Sequence, residues 1–440
     1  MPSVYLTTLG CPKNQVDSEK VEAMLDRAGY RFCSTPGDAD VVMVNTCAFV
    51  EEARRESVET ILGLEDVKRT DARMVVIGCL AQRFGADLVE ALPEVDAVVG
   101  LDRYAELVNV LDELTGWSPV GTPRRRPVMD ILHATGRPRP EVPYAYVKVA
   151  EGCDKGCTFC AIPLIRGRQR SRPLDEIVRE VEGLAEQGVS EVVLVAQDLA
   201  AYGADLGRRR IVDLVSKVTT VEGVLRVRLL YLYPREITDP LIAEITSNPR
   251  VASYFDLSLQ HASPRLLRAM RRPGSGERFL QLIDRIRRAD PDACLRSSFI
   301  VGFPGEQDGD VETLAGFLEE ARLDWAGFFP YSAEPGTPAA ELDDRPGPSE
   351  LADRLTYLTG IQERITWERS ADTVGRTLDV LVDEIDDDGT PVGRSYREAP
   401  EIDGVVMLDR GNPGDWVRAR IVSAYGAETE GKVEEVGGWS

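Results

Sequence analysis

Three apolar runs near the start of the chain finish on the same residue type: "SVYLTTLGC" at Cys11, "ADVVMVNTC" at Cys47 and "RMVVIGC" at Cys79. Continuous Val- and Ile-rich runs separated by helical segments indicate a parallel sheet covered on both faces. Val21, Met24, Leu25 and Ala28 fall on one helical stripe between the first two runs, and Gly29 stands where a helix would stop. "VDAVVG" supplies a fourth run. Residues 1–115 are therefore expected to form a doubly wound parallel sheet. Ligands of such sheets collect beyond the carboxyl ends of the strands. Three strands ending in cysteine bring together thiols more than thirty residues apart in sequence. Singly, each reads as a buried core cysteine; jointly they read as a shared metal site.

A second trio is local. "EGCDKGCTFC" sets Cys153, Cys157 and Cys160 in a C-x3-C-x2-C pattern just after the run "YAYVKVA". Structural zinc wants four ligands in a closed tetrahedron. Only three are local here, and the chain has just two histidines, His133 and His261. Soft thiolates also select iron–sulfur clusters, which normally take four cysteines. Three thiolates on a cube of four irons leave one iron without a protein ligand, which is useful only where something else binds it. Cys33 and Cys294 fit neither trio and read as structural. With no secretory signal at the N-terminus and no run of about 18 apolar residues to span a membrane, the expected location is the cytoplasm. Disulfides are not expected there among the eight cysteines.

Residues 116–143, "GWSPVGTPRRRPVMDILHATGRPRPEVP", are rich in Pro, Gly and Arg and read as a linker. Its Arg124, Arg125 and Arg126 read as a solvated face rather than a phosphate site. From 144 the runs "YAYVKVA", "EVVLVAQ", "LRVRLLYL", "YFDLSLQ", "CLRSSFIVG" and "WAGFFPYS" alternate with helical segments, one of them striped by Leu174, Ile177, Val181 and Leu184. Six such units predict an incomplete parallel barrel, (β/α)6, where the closed form has eight. A helix over about 349–370 completes this domain, 144–370. The tail, 371–440, breaks into short strands with Gly and Asp turns, a small antiparallel OB-like barrel. The formal charge of −22 repels phosphate backbones and attracts basic partners.

The C-x3-C-x2-C trio, with Phe159 before its last cysteine and at the end of a first barrel strand, resembles the radical SAM superfamily. The resemblance implies a 4Fe–4S cluster on Cys153, Cys157 and Cys160. Its open iron would bind S-adenosylmethionine (SAM), whose cleavage would release a 5′-deoxyadenosyl radical. It further implies SAM contacts from Phe159, from Gln197 and Asp198 in "VAQD", and from Gln260 in "LQH", with His261 beside it at the strand mouth. "IVGFPGE", Ile300 to Glu306, is similar to the turn near the adenine. "RGRQRSR" offers Arg166, Arg168, Arg170 and Arg172, one of which would pair with a carboxylate of SAM or substrate unless all are merely solvated.

With a three-cysteine domain in front and a small barrel behind, the whole chain resembles the methylthiotransferases, whose last domain is a TRAM barrel. That implies a second 4Fe–4S cluster on Cys11, Cys47 and Cys79, presenting sulfur, methylated by a second SAM, to a carbon radical in a shared cavity. "GCPKNQVDSE", "AQDLAAYG", "YLYPRE", "SLQHAS" and "REAPEIDG" look like the RimO-like branch, though Ala196 stands where that branch has Ser. That branch modifies the β-carbon of an aspartate in ribosomal protein S-twelve. The tail holds sixteen acidic and seven basic residues, which suits a basic protein better than an RNA needing a positive groove and stacking aromatics. A MiaB-like action on tRNA adenosine is the second reading, so tRNA is the disfavoured partner; a metal-stabilised ribosome-binding module without catalysis is the third. An electron-donor protein is also implied. No general base is nominated, because hydrogen would leave carbon as an atom.

Overall fold

The structure is a computed structural model that describes residues 1–117 and 130–437; Arg124, Arg125 and Arg126 lie outside the described residues. The first domain has five parallel strands, β1 (Ser3–Thr8), β2 (Arg31–Phe32), β3 (Val41–Thr46), β4 (Arg73–Gly78) and β5 (Ala97–Val99), in the order β2-β1-β3-β4-β5. Helices α1 (Pro12–Arg27), α2 (Glu51–Val67), α3 (Cys79–Ala91) and α4 (Leu107–Thr115) cover it. Successive side chains of a strand point to opposite faces. Met43, Val75 and Ile77 therefore pack with Val21, Leu25 and Leu107 on one side, while Val42, Val44 and Val76 pack with Ile61 and Leu80 on the other. Two buried faces are why these runs are apolar throughout.

Helix α1 starts earlier than its apolar stripe suggests. Pro12 suits the first helical position, where the missing N–H has no partner to lose, and Cys11 takes the extended capping position before it. The first turns bury Lys13, Asn14, Asp17 and Lys20, polar residues that an apolar pattern does not reveal. The two-residue edge strand β2 is likewise too short to show as a run.

The middle domain carries the six expected strands: β6 (Tyr144–Lys148), β9 (Glu191–Val195), β10 (Arg226–Leu229), β11 (Tyr254–Gln260), β12 (Cys294–Val301) and β13 (Trp325–Pro330). A short antiparallel ribbon, β7 (Ala150–Glu151) with β8 (Arg170–Ser171), follows the first of them. Parallel pairing gives the sets β10-β9-β6 and β11-β12-β13. Bridges Val227 to Val251 and Leu232 to Leu257 join the sets into one open barrel wall. Around it run α5 (Ile162–Arg166), α6 (Leu174–Glu186), α7 (Ile211–Val218), α8 (Asp239–Ser247), α9 (Pro264–Ala269), α10 (Gly276–Ala289), α11 (Asp308–Ala321) and α12 (Pro348–Ala371), the last packing against β13 and α11.

The tail closes into a barrel of β14 (Thr377–Ile385), β15 (Pro391–Arg394), β16 (Val406–Leu408), β17 (Trp416–Tyr425) and β18 (Glu428–Val436), in the order β14-β15-β16-β18-β17. Its pairs are antiparallel except β16 with β18, which are parallel because β17 intervenes between them in sequence. The excursion 395–404 leaves this barrel and plugs the amino end of the middle one. There it meets the first residues of four strands, and Arg394 before it meets that of a fifth. Tyr144 donates to Glu401 (3.0 Å), Tyr254 to Asp403 (2.5 Å) and Trp325 Nε1 to the Arg397 carbonyl (2.7 Å). Arg394, just before the excursion, pairs with Glu191 at 3.1 Å, and Cys294 donates to the Arg397 carbonyl (3.2 Å).

The first two domains are joined by buried charge. Glu180 of α6 lies within 3.3 Å of Lys20 from α1, 2.8 Å of Arg137 and 2.7 Å of Arg172. Burial works against the Glu180 carboxylate, but these cations outweigh it and hold it below the usual range; burial brings Lys20 down to about 7. Removing the one carboxylate leaves buried Lys20 and Arg172 without a carboxylate partner, while Arg137 keeps Glu19, and breaking a buried pair costs ~3–5 kcal/mol. Glu180→Gln should therefore lower stability by about that amount at neutral pH, read as an earlier urea midpoint. A carboxylate with a depressed folded pKa stabilises above its unfolded value, so the difference from wild type should shrink as pH falls below about 4.3. An unchanged midpoint would show that the cluster holds nothing together.

Candidate active site

Strands β1, β3 and β4 are neighbours, and each ends at a cysteine of the first trio. Cys11 caps α1, Cys47 follows Thr46, and Cys79 opens α3 directly after Gly78. Cys11 and Cys47 flank the point between β1 and β3 where the strand order reverses, the expected ligand crevice of an open sheet. Asn14 ties the loops together by donating Nδ2 to the carbonyls of Leu9 (2.9 Å) and Thr46 (3.0 Å). Gly10 has φ +89°, and a Cβ there would lie 2.8 Å from Cys47 Sγ. Burial pushes the Cys79 thiol up to about 12 and raises that of Cys47. Burial also opposes the Cys11 thiolate, but Lys13 and Arg166 outweigh it and bring the thiol down.

The second trio lies on the loop after β7. Cys153 N–H donates to the Gly167 carbonyl (3.1 Å), while Thr158 donates its N–H to Met270 (3.1 Å) and its hydroxyl to Ala269 (2.9 Å). Burial pushes Cys153 up to about 11 and Cys160 up to about 12, so binding a metal here releases protons. Arg272 donates Nη1 to Cys157 Sγ at 3.4 Å. All eight cysteines are free. Among the described residues no group of His, Cys, Asp or Glu is drawn close enough to hold a single metal ion; a cube, by contrast, takes each thiolate at a separate iron.

Two connections bring the trios together. Helix α5 begins two residues after Cys160 and ends at Arg166, whose Nη2 donates to Cys79 Sγ (3.4 Å) and to Asn14 Oδ1 (2.6 Å). Its Nη1 pairs with Asp17 (3.1 Å) and Glu151 (2.8 Å), and Lys148 pairs with the same two carboxylates. The second connection is the segment after β10. Lys13 Nζ lies 3.4 Å over the ring of Tyr231. Two residues on, the ring of Tyr233 carries Arg272 at 4.3 Å and Lys155 at 4.6 Å.

Most of the side chains expected from sequence lie at this carboxyl end. Phe159 packs with Leu266, Met270 and Phe303. Gln197 donates to Glu151 (2.9 Å), leaving its buried Oε1 without a partner. Asp198 is buried with Lys155 Nζ at 3.3 Å, and burial raises its carboxyl. Gln260 closes β11 at φ +73°. His261 faces inward instead: Nδ1 accepts the N–H groups of Ala262 and Ser263, and burial brings the ring down to about 4. All four arginines from 166 to 172 are paired with protein carboxylates: Asp17 and Glu151, Asp154, Asp130 and Glu180 respectively. Lys13, in "GCPKNQVDSE", and Tyr231 and Tyr233, in "YLYPRE", lie within family-like stretches whose pattern does not single them out, and Arg272, just after α9, lies in none.

This donor set fits two open clusters: three unpaired thiols at each of two places, an arginine N–H on one sulfur of each, and unsatisfied polar atoms at Gln197 and Asp198. Residues 3–100 match the family model described as Uncharacterized protein family UPF0004, 147–318 the Radical SAM superfamily, and 374–433 the TRAM domain. Fold and site define a radical SAM enzyme with a second three-cysteine domain. The solved radical S-adenosylmethionine methyltransferase TsrM from Kitasatospora setae shares the fold, with a TM-score of 0.53 at 16% identity over 77% of each chain. The ribosomal protein uS12 methylthiotransferase RimO of Kineococcus radiotolerans is 42% identical, covering 97% of this chain and 96% of that protein. Its counterpart in Anaeromyxobacter sp. (strain K) is also 42% identical, over 98% and 93%. The chain belongs to the RimO methylthiotransferase family. Gly10→Ala should displace Cys47 and cost about 1–3 kcal/mol through overpacking; an unaltered thermal midpoint would mean that the close approach is dispensable.

Proposed function

We propose that this chain replaces a hydrogen on the β-carbon of an aspartate in ribosomal protein S-twelve with a methylthio group. The observation that carries the reading is the joining of two thiol trios by Arg166 and by the step from Tyr231 to Tyr233. Relatives at 42% identity bear the name of this activity, and the acidic tail suits a basic ribosomal protein. The cofactors are SAM and two 4Fe–4S clusters. When bound, they supply the radical that takes the hydrogen atom and the sulfur that replaces it.

The chain's own residues hold and shield this chemistry. Cys153, Cys157 and Cys160 would ligate the cluster that cleaves SAM, and Cys11, Cys47 and Cys79 the one that carries sulfur. Gln197 and Asp198 offer SAM their unsatisfied oxygens, Phe159 packs beside them, and Gln260 lies across the mouth. An electron-donor protein and S-twelve itself, free or in the ribosome, are the partners we propose; no helix among the described residues is long and apolar enough to cross a membrane. The working divisions are 1–115, the linker 116–143, 144–370 and 371–440.

Mass spectrometry of S-twelve and of tRNA, from cells with and without this gene, tests the substrate. The methylthio mass should vanish from the protein alone, and loss from tRNA alone would transfer the reading to adenosine. Cys157→Ala should abolish 5′-deoxyadenosine formation while leaving the first-domain cluster in place; undiminished cleavage rejects the ligand assignment. Hydrogen bonds to cluster sulfurs help set reduction potentials. Arg166→Lys keeps a charge for Asp17 and Glu151 but loses the N–H to Cys79. The first-domain cluster should therefore titrate at a potential lower by about 60 mV, a tenfold shift for one electron, in an EPR-monitored titration.

A further inference from the structure

An aspartate carries its carboxylate directly on the β-carbon. A reaction at that carbon, in the space between the thiol trios, therefore brings an ionised carboxylate into the same space. A carboxylate moved out of water needs a cation close by. Most cations around the site already have such a partner. Lys148 and Arg166 share Asp17 and Glu151, and Lys155 has Asp198 and Glu236. Arg272 has no carboxylate partner but is turned to Cys157 and the Ser258 carbonyl, on the SAM side.

Lys13 is different. It is buried, its ammonium lies over the Tyr231 ring at 3.4 Å, and the charged or polar groups that bear on it most strongly are Tyr231, Cys11 and Arg166, none of them a carboxylate. Among the described residues it enters no ion pair. Its place is between the trios: Cys11 is two residues before it, and Tyr231 leads in two residues to Tyr233, which stacks with the arginine on Cys157. Tyr231 is itself held in the left-handed region at φ +63°, its N–H donated to Asp256 at 2.8 Å, so the ring under the ammonium is fixed in place.

We propose that Lys13 binds the side-chain carboxylate of the substrate aspartate and so selects an acidic side chain over a neutral one or a nucleobase. This rests on the reading of the chain as an aspartate methylthiotransferase. A neutral base entering the same space would leave the ammonium without an anion, and an aspartate would complete it. The competing role for Lys13 is to balance the negative charge of a cluster on Cys11.

The test uses the full chain, anaerobically loaded, and three peptides spanning the modified aspartate of S-twelve: the natural one and versions with Asn or Ala at the target. Binding is read by fluorescence anisotropy, modification by mass, and cluster loading by iron per chain. Wild type should bind the Asp peptide at least tenfold more tightly than the Asn peptide. Lys13→Gln should bind the two alike with wild-type iron, and Lys13→Arg should recover part of the preference. A Lys13→Gln chain that keeps the preference, while wild type adds mass to the Asp peptide, overturns the role of Lys13 alone. So does one that loses iron yet still prefers Asp, since Lys13 then serves the cluster. A wild type that neither prefers nor modifies the Asp peptide overturns the underlying reading, and this inference with it.

Discussion

The guanidinium of Arg166 is the contact on which the working arrangement depends. It is buried, and a buried cation is tolerated only when paired and hydrogen-bonded. Its partners come from both sides: Asn14, Asp17 and Cys79 from the first domain, Glu151 from the second. Parting the domains would leave charges on both faces without partners. Because α5 leads to Arg166 only a few residues after Cys160, the separation of the two cysteine trios is set by one short helix.

A common pattern governs the two thiol sites. Each receives a guanidinium N–H on one sulfur, from Arg166 at Cys79 and from Arg272 at Cys157. Each is also bounded by backbone that a side chain seldom adopts, Gly10 at +89° for one and Gly152 at +78° for the other. Tyr231 and Gln260, at the ends of adjacent barrel strands, take positive φ without being glycine, at about 1–3 kcal/mol each. Surrounding contacts hold that strain in place, and it lies where the chain must present side chains to a ligand rather than to the core.

Much of this was legible in the amino-acid order, and the reason is periodicity. The runs ending in Cys11, Cys47 and Cys79 are apolar on both faces because both faces are covered, so strand and cysteine could be placed together. The six runs of the middle domain became six strands for the same reason. What escaped notice lacks a period. β2 is two residues long, and the first turns of α1 bury Lys13, Asn14, Asp17 and Lys20, a sequence that reads as solvent-facing. The four arginines of 166–172 look equivalent in sequence. Only folding separates Arg166, buried against a thiol, from Arg168, exposed beside Asp154. Lys13 and Tyr231 meet over a separation of more than two hundred residues, which no local pattern encodes.

The plug 395–404 has a geometric consequence. It fastens the terminal barrel to the starts of the middle-domain strands, while the cysteines stand at their ends. A partner gripped by that barrel touches the reactive space only through a segment that runs the height of the wall. For strands of four to eight residues, that height is on the order of 20 Å. A partner held on that barrel would therefore need a projecting segment of about that length to bring a side chain to the thiols.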